Sequence, residues 1–279
     1  MKWLFALLLA VVIFGGAAFF GYNLFVKPEM QVRAEQSGEV PPEPKLDISL
    51  PEFQAAAKLR QEGQLTEARE ALKVFIQKYP SGLHVEEAKD LLGDVNVNIL
   101  FSRHPSPEKE EYVVKSGDVL ARIATKTKST PELIMRTNNL SGTMLRIGER
   151  LWISHPEFSM IIQRKAQTVV LLDRGAFFKR YHIRTVKLPP KQASKITTRV
   201  AETMAWKDGK RAGFGTKEYV DSIRWIRLAA PGYYLYSEPG TGQSDGGVPP
   251  PASGLGMAAS DVEELSSLVN SKTPVTITD

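Results

Sequence analysis

The hydrophobic pattern changes period several times along the chain. Residues 3–26 carry no charged side chain in 24 positions, and about 20 apolar residues suffice to span a bilayer. This run predicts a membrane helix over residues 1–26. The competing reading is a cleaved signal peptide, whose apolar region is shorter (roughly 7–15 residues) and ends in a small-x-small site. Gly15-Gly16-Ala17-Ala18 resembles such a site, but the run continues through Phe19, Phe20 and Leu24. Residues 27–50 hold Pro and Glu without periodicity and predict an extended linker. From 51 to 100 the apolar positions take helical spacing: Ala68, Leu72, Phe75 and Ile76, then Ala88, Leu91 and Leu92. Gly63 ends a first helix, Thr66 is a candidate cap for the second, and Pro80-Ser81-Gly82 separates it from a third. Residues 101–111 form a second linker.

Residues 112–153 switch period twice. Tyr112 and Val114 alternate like a strand, and Gly117-Asp118 turns the chain. Leu120, Ile123 and Ala124 share one helical face, Leu133 and Ile134 another. Asn138-Asn139 closes the second helix. Leu145, Ile147, Leu151 and Ile153 predict a returning strand interrupted by Gly148. The order is βααβ. From Phe158 onward the text reads as strands. Two apolar runs flank Arg164-Lys165-Ala166-Gln167, and Asp173-Arg174-Gly175 supplies a hairpin turn. Gly, Pro and Lys dominate the next stretch. Residues 223–236 then give two more strands around Pro231-Gly232. The small residues Ala252–Gly256 read as a tight loop before a helix starting near Asp261, with Leu265, Leu268 and Val269 on its apolar face. Residues 273–277 predict a final strand. The fold class expected is multidomain α+β: a membrane helix, a helical hairpin, a βααβ module and a mixed, mainly-β domain over 158–279.

Composition narrows the chemistry. The chain has 279 residues and no cysteine, which excludes disulfides, thiolate metal sites and thiol catalysis. No cofactor or metal site is suggested. Charge is uneven: residues 158–202 hold ten basic and two acidic residues, and 112–153 hold seven basic and three acidic. A cationic stripe suits an anionic polymer. Nucleic acid is not expected, because an exported chain rarely meets it and no aromatic platform motif is present. The bland alternative is Lys and Arg solvating exposed strands.

Three segments resemble known families. Gly63, Leu65, Ala68, Phe75 and Pro80 resemble a tetratricopeptide unit, but they cover little more than one repeat. A helical hairpin packed on a neighbour, or a stalk, competes with a partner-binding groove for an envelope protein. Tyr112-x-Val114-Lys115-x-Gly117-Asp118, with Asn139-Leu140 and Leu145-x-Ile147-Gly148-x-x-Leu151, resembles a LysM domain. That resemblance implies recognition of N-acetylglucosamine-containing glycan, here peptidoglycan, in a shallow groove with backbone donors and small apolar walls. It places the groove between Gly117, Asp118, Val119 and Leu120 on one side and Leu140, Met144, Leu145, Arg146 and Ile147 on the other. Val119 departs from the threonine common in the family, which removes a hydroxyl. A LysM fold serving only as a spacer is the alternative.

The strands of 158–238, the Gly/Pro-rich loop 239–254, Ser253-Gly254-Leu255-Gly256-Met257 and Asp261 before a helix resemble an L,D-transpeptidase domain of the YkuD type. Met257 and Asp261 align the family's nucleophilic cysteine with Gly254 and its arginine with Gly256. Gly232 aligns the catalytic histidine with Tyr236, followed by Ser237. The family's chemistry needs a thiolate activated by histidine and backbone oxyanion donors. Neither side chain stands at its position, and the last histidine is His182. The expectation is therefore a non-catalytic domain in a binding or structural role. The alternative is an atypical transpeptidase using Ser253 or Ser260 with Lys217 or Lys272 as base. The expected location is a bacterial cytoplasmic membrane, crossed once, with the C-terminal domains on the envelope side.

Overall fold

The computed structural model describes residues 47–103, 106–190, 192–238 and 246–279. The expected membrane helix 1–26, most of the linker 27–50 and the first part of the loop 239–254, residues 239–245, lie outside the described residues. No helix among the described residues is long and apolar enough to cross a membrane.

Three helices open the described chain: α1 (Leu50–Gln61), α2 (Leu65–Lys78) and α3 (Val85–Phe101). Pro51 occupies the first turn of α1, where its missing N–H costs nothing. Gly63, at φ +77°, turns the chain into α2. Thr66 is not the cap: α2 starts one residue earlier, with Gln64 at the N-cap position. Phe53, Ala56, Ala68, Leu72, Phe75, Ala88, Leu92 and Val95 form a closed apolar cluster between the three helices. The segment is thus a three-helix unit rather than a hairpin. Gly93 shows what the far side of α3 meets. A Cβ there would stand 3.1 Å from the Cα of Lys179. Asn96 donates its side-chain amide to the Phe178 carbonyl at 2.8 Å.

The βααβ module follows, with β1 (Lys109–Val113), α4 (Leu120–Lys126), α5 (Pro131–Asn138) and β2 (Arg150–Ser154); β1 and β2 pair antiparallel. Thr130 caps α5 by accepting from the Leu133 N–H, Pro131 fills its first turn, and Asn139 ends it in the left-handed region. The Asn138 side chain bonds both the N–H and the carbonyl of Trp152, fixing α5 to β2. Two boundaries differ from the sequence reading. β1 begins at Lys109, so the linker is shorter than 101–111. Leu145 and Ile147 precede β2 as a loop, because Gly148 at φ +84° bends the chain before the ladder resumes.

The remaining strands build one sheet: β3 (Phe158–Gln163), β4 (Thr168–Asp173), β5 (Ala176–Lys187), β6 (Lys195–Lys207), β7 (Lys210–Arg211), β8 (Ile223–Leu228), β9 (Tyr234–Glu238), β10 (Gly254–Ala258) and β11 (Pro274–Thr278), in the order β11-β3-β4-β5-β10-β9-β8-β6-β7. β11 also pairs with the first half of β6, so the sheet closes on itself. Among the described strands, only the β9–β10 and β3–β11 pairs run parallel. The short helix α6 (Lys217–Val220) precedes β8, and α7 (Ala259–Leu268) links β10 to β11, burying Val262, Leu265 and Leu268.

Two sheet elements depart from expectation. β6 is a 13-residue strand in a stretch that read as irregular. The Ala252–Gly256 run is loop only at Ala252 and Ser253, since Gly254–Ala258 is an interior strand held between β5 and β9. Its small residues let neighbours approach closely. The basic excess of 158–202 is also not a bare stripe. Lys179 meets Asp94 and Glu264 at 3.0 and 2.9 Å, and Arg180 pairs with Glu86 and Asp90. Arg164 pairs with Asp279. Burial works against the Lys179 charge, but its two carboxylates outweigh it and hold the amine above its ordinary pKa.

Candidate functional site

The groove of the βααβ module forms where two loops leave the same end of its ladder. Val114 bridges Glu149 and Gly148 through backbone hydrogen bonds of 2.9 Å each. The turn 115–118 departs on one side, and the loop 140–147 arrives on the other. Asp118 sets the turn by accepting from the Lys115 N–H and the Tyr112 hydroxyl, both at 2.8 Å. Those hydrogen bonds lower its carboxyl pKa, the backbone one most. Gly117 takes φ +80°, and its carbonyl accepts from Arg122 at 2.8 Å.

The groove residues named from the sequence separate into two groups. Leu120 is buried in the module core, and Leu140 and Leu145 pack against that core. Val119, Met144 and Ile147 stand out, with 53%, 91% and 74% of their surface exposed. Arg146 is exposed, and its N–H is occupied by Glu149 at 3.0 Å. Exposed apolar side chains at one loop junction provide a surface for the C–H faces of a ligand.

This module is wedged against the sheet. Thr130 donates to the Ser267 carbonyl at 2.5 Å and Thr137 to the Leu100 carbonyl at 3.1 Å. Glu132 accepts from the Tyr219 hydroxyl at 2.6 Å and lies 3.8 Å from the buried guanidinium of Arg224. Arg224 stacks 3.7 Å over the Tyr219 ring. Burial, then Glu132, pushes the Tyr219 phenol well up. At the groove loop itself, a Cβ on Gly215 would stand 2.9 Å from Thr143 Cγ2.

The three positions where the transpeptidase resemblance placed its machinery come together on adjacent strands. Gly256 is the register partner of Tyr236 in the parallel β9–β10 pair. A Cβ on Gly254 would stand 2.9 Å from the Tyr234 carbonyl oxygen and 3.2 Å from Tyr236 Cδ1. The Tyr236 ring is 1% exposed and meets Trp225 edge-on at 6.4 Å. Burial and the nearby Glu238 carboxylate raise its pKa to about 12. The Glu238 carboxylate lies over Gly256, where a Cβ would meet its carboxyl carbon at 2.4 Å. Ser237 donates to the Arg224 carbonyl at 2.8 Å. Ser253 stands beside Gly232, and Ser260 is exposed at the start of α7. No described hydrogen bond links either serine to Lys217 or Lys272, both of which are exposed. No cluster of His, Asp and Glu fit to hold a metal occurs among the described residues.

Residues that the sequence reading passed over lie next to this position. Trp206, Arg211, Trp225, Arg227 and Tyr234 border a cleft whose rim includes Ser253. Trp206 and Arg211 went unnoticed because β6 and β7, which carry them, were not read as strands, and without those strands Trp225, Arg227 and Tyr234 had no cleft to border. The signal that could have found them is the Trp-x-Arg alternation at 225–227.

No curated protein matches the chain in sequence. Solved structures that resemble it include an L,D-transpeptidase from Mycobacterium smegmatis, with 11% identity, 48% of this chain and 65% of that chain covered, and a TM-score of 0.31. An Enterococcus faecium L,D-transpeptidase mutant gives 14% identity, 43% and 49% coverage, and a TM-score of 0.29. L,D-transpeptidase 3 from Mycobacterium tuberculosis, with a faropenem-derived adduct, gives 10% identity, 61% and 90% coverage, and a TM-score of 0.30. The chain spans less than two thirds of the length of the first of these. Likeness at this level transfers no activity. The sequence match is different in kind: residues 112–154 fit the model of the LysM domain family, so the βααβ module is a LysM domain.

Proposed function

We propose that this protein binds N-acetylglucosamine-containing glycan of peptidoglycan through its LysM domain. Residues 158–279 form a transpeptidase-type scaffold that binds or positions wall material without turning it over. The observation that carries this reading is the groove itself: Val119, Met144 and Ile147 exposed together at a loop junction that Asp118 holds fixed. Non-catalysis is supported by the absence of cysteine from the chain and by the buried Tyr236 ring beside Gly254. In the same reading, residues 3–26 anchor the chain in a cytoplasmic membrane with the domains on the envelope side. Helices α1–α3 offer a surface to an envelope protein.

Sedimentation with insoluble peptidoglycan tests the glycan role. The double substitution Met144→Asp with Ile147→Asp changes only exposed positions, so the fold is retained and binding falls by at least about tenfold. Equal sedimentation of wild type and double variant would end the glycan-binding role of this groove. Mass spectrometry of muropeptides incubated with the purified chain tests the second half. A new cross-link or cleavage product that Ser253→Ala abolishes would establish the atypical enzyme instead.

A further inference from the structure

The cleft beside Ser253 is assembled by strand register. Side chains two apart on a strand share a face, so Trp225 and Arg227 of β8 point the same way. Met204 of β6 is the partner of Trp225, and Tyr234 of β9 is the partner of Arg227. Trp206 lies two residues beyond Met204, and Arg211 of β7 is its partner. The result is one face carrying three aromatic rings and two guanidinium groups around a cleft of about 470 Å³. Trp206 and Trp225 stand 5.6 Å apart at 56°, and Tyr234 meets Trp225 edge-on at 6.4 Å.

The cleft's polar groups are incompletely used. Trp225 is 7% exposed, and the ring N–H groups of both Trp206 and Trp225 are buried without a hydrogen-bond partner among the described residues. Buried donors of this kind are rare and call for an acceptor. Arg211 stacks 4.8 Å from the Trp206 ring. Glu202 holds both guanidiniums, at 3.0 Å to Arg211 and 3.5 Å to Arg227, and so cancels one of their two charges. Among the described residues, no acidic side chain belongs to the cleft lining itself. Ring faces suit the C–H faces of a sugar, indole N–H groups suit its hydroxyl or acetamide oxygens, and the uncancelled guanidinium charge suits a carboxylate.

We propose that this cleft is a second ligand site, separate from the LysM groove, for a saccharide that carries a carboxylate. The choice of a cell-wall sugar rests on the reading of the LysM domain above; the cleft's chemistry does not. Isothermal titration of the full chain with N-acetylmuramyl-L-alanyl-D-isoglutamine provides the test. Its carboxyl-amide derivative, the sugar-free dipeptide and the neutral N-acetylglucosamine trimer serve as comparisons.

The acid binds saturably, while its amide and the sugar-free dipeptide each bind about tenfold more weakly or worse. Arg227→Gln and Arg211→Gln, at partly exposed positions, weaken the acid by a similar factor. Trp206→Phe keeps a ring, removes the N–H donor and weakens binding several-fold. The LysM double variant Met144→Asp with Ile147→Asp binds the acid as wild type does. Three outcomes overturn the proposal: no binding of the acid, equal binding of the sugar-free dipeptide, or loss of binding in the LysM double variant. Failure of the LysM reading has a different signature, loss of the peptidoglycan and trimer interactions with the acid still bound.

Discussion

At Gly254 the local motif and the tertiary contact give two different reasons for the same residue. The motif resemblance aligns the family's nucleophile with Gly254, between Ser253 on one side and Met257 and Asp261 on the other. The contact shows why a side chain does not fit, since the Tyr234 carbonyl oxygen would stand 2.9 Å from any Cβ. Gly254→Ala is therefore expected to destabilise the chain by about 1–3 kcal/mol, read as a lower urea midpoint with unchanged slope. Gly254→Cys is expected to cost at least as much and to gain no transpeptidase activity, since Tyr236 rather than an imidazole stands at the aligned base position. Wild-type stability in either variant would mean that the strand yields there. Val119 is the opposite case. Its exposure leaves room for the family's hydroxyl, so Val119→Thr should change stability by no more than ~0.5 kcal/mol while raising affinity for the N-acetylglucosamine trimer. A fall in affinity would show that the valine itself is the contact.

The elements divide by how local their signals were. Helices α1–α3, α5, α7 and the hairpin β3–β4–β5 were legible because periodicity and turn residues lie within the segment. Thr130, Pro131 and Asn139 mark both ends of α5 in plain text. β6 and β10 were not legible. β6 runs between three partners, β8, β7 and β11, so its burial follows several neighbours rather than one alternation. β10 has glycines where close approach to β9 requires them, and glycines read as loop. The misreading hid the aromatic cleft, whose residues sit on β6, β7, β8 and β9. One contact between elements was equally invisible: Glu132 of α5 with Tyr219 and Arg224. Glu132→Gln removes the carboxylate facing a buried guanidinium and should cost about 3 kcal/mol. Lys58→Ala, which breaks the exposed Lys58–Glu62 pair, should cost no more than about 1 kcal/mol. Urea unfolding of the two variants measures the difference, and equal costs would show that the Glu132 contact is only a surface pair.

At the scale of the whole molecule, segments that read as separate domains share one interior. Leu100 of α3, Leu133 of α5, the inward residues of the sheet and Val262, Leu265 and Leu268 of α7 belong to a single apolar cluster. Residues Ser49–Asp279 accordingly form one compact unit. The basic excess of the sheet is answered by acids on α3 and α7, such as Asp94 and Glu264 around Lys179. A tethered LysM module would melt by itself, whereas one that lends Leu133 to the sheet's core and takes the Ser267 carbonyl onto Thr130 should not. Fluorine NMR of the chain labelled with 5-fluorotryptophan separates the two cases. Trp152 reports the LysM domain and Trp225 the sheet, and their urea midpoints are expected to coincide, as two-state unfolding requires. Glu132→Gln should lower both midpoints together. A Trp152 transition at lower urea than Trp225 would mean that the groove and the aromatic cleft move independently, and a ligand spanning both would then gain nothing from their fixed spacing.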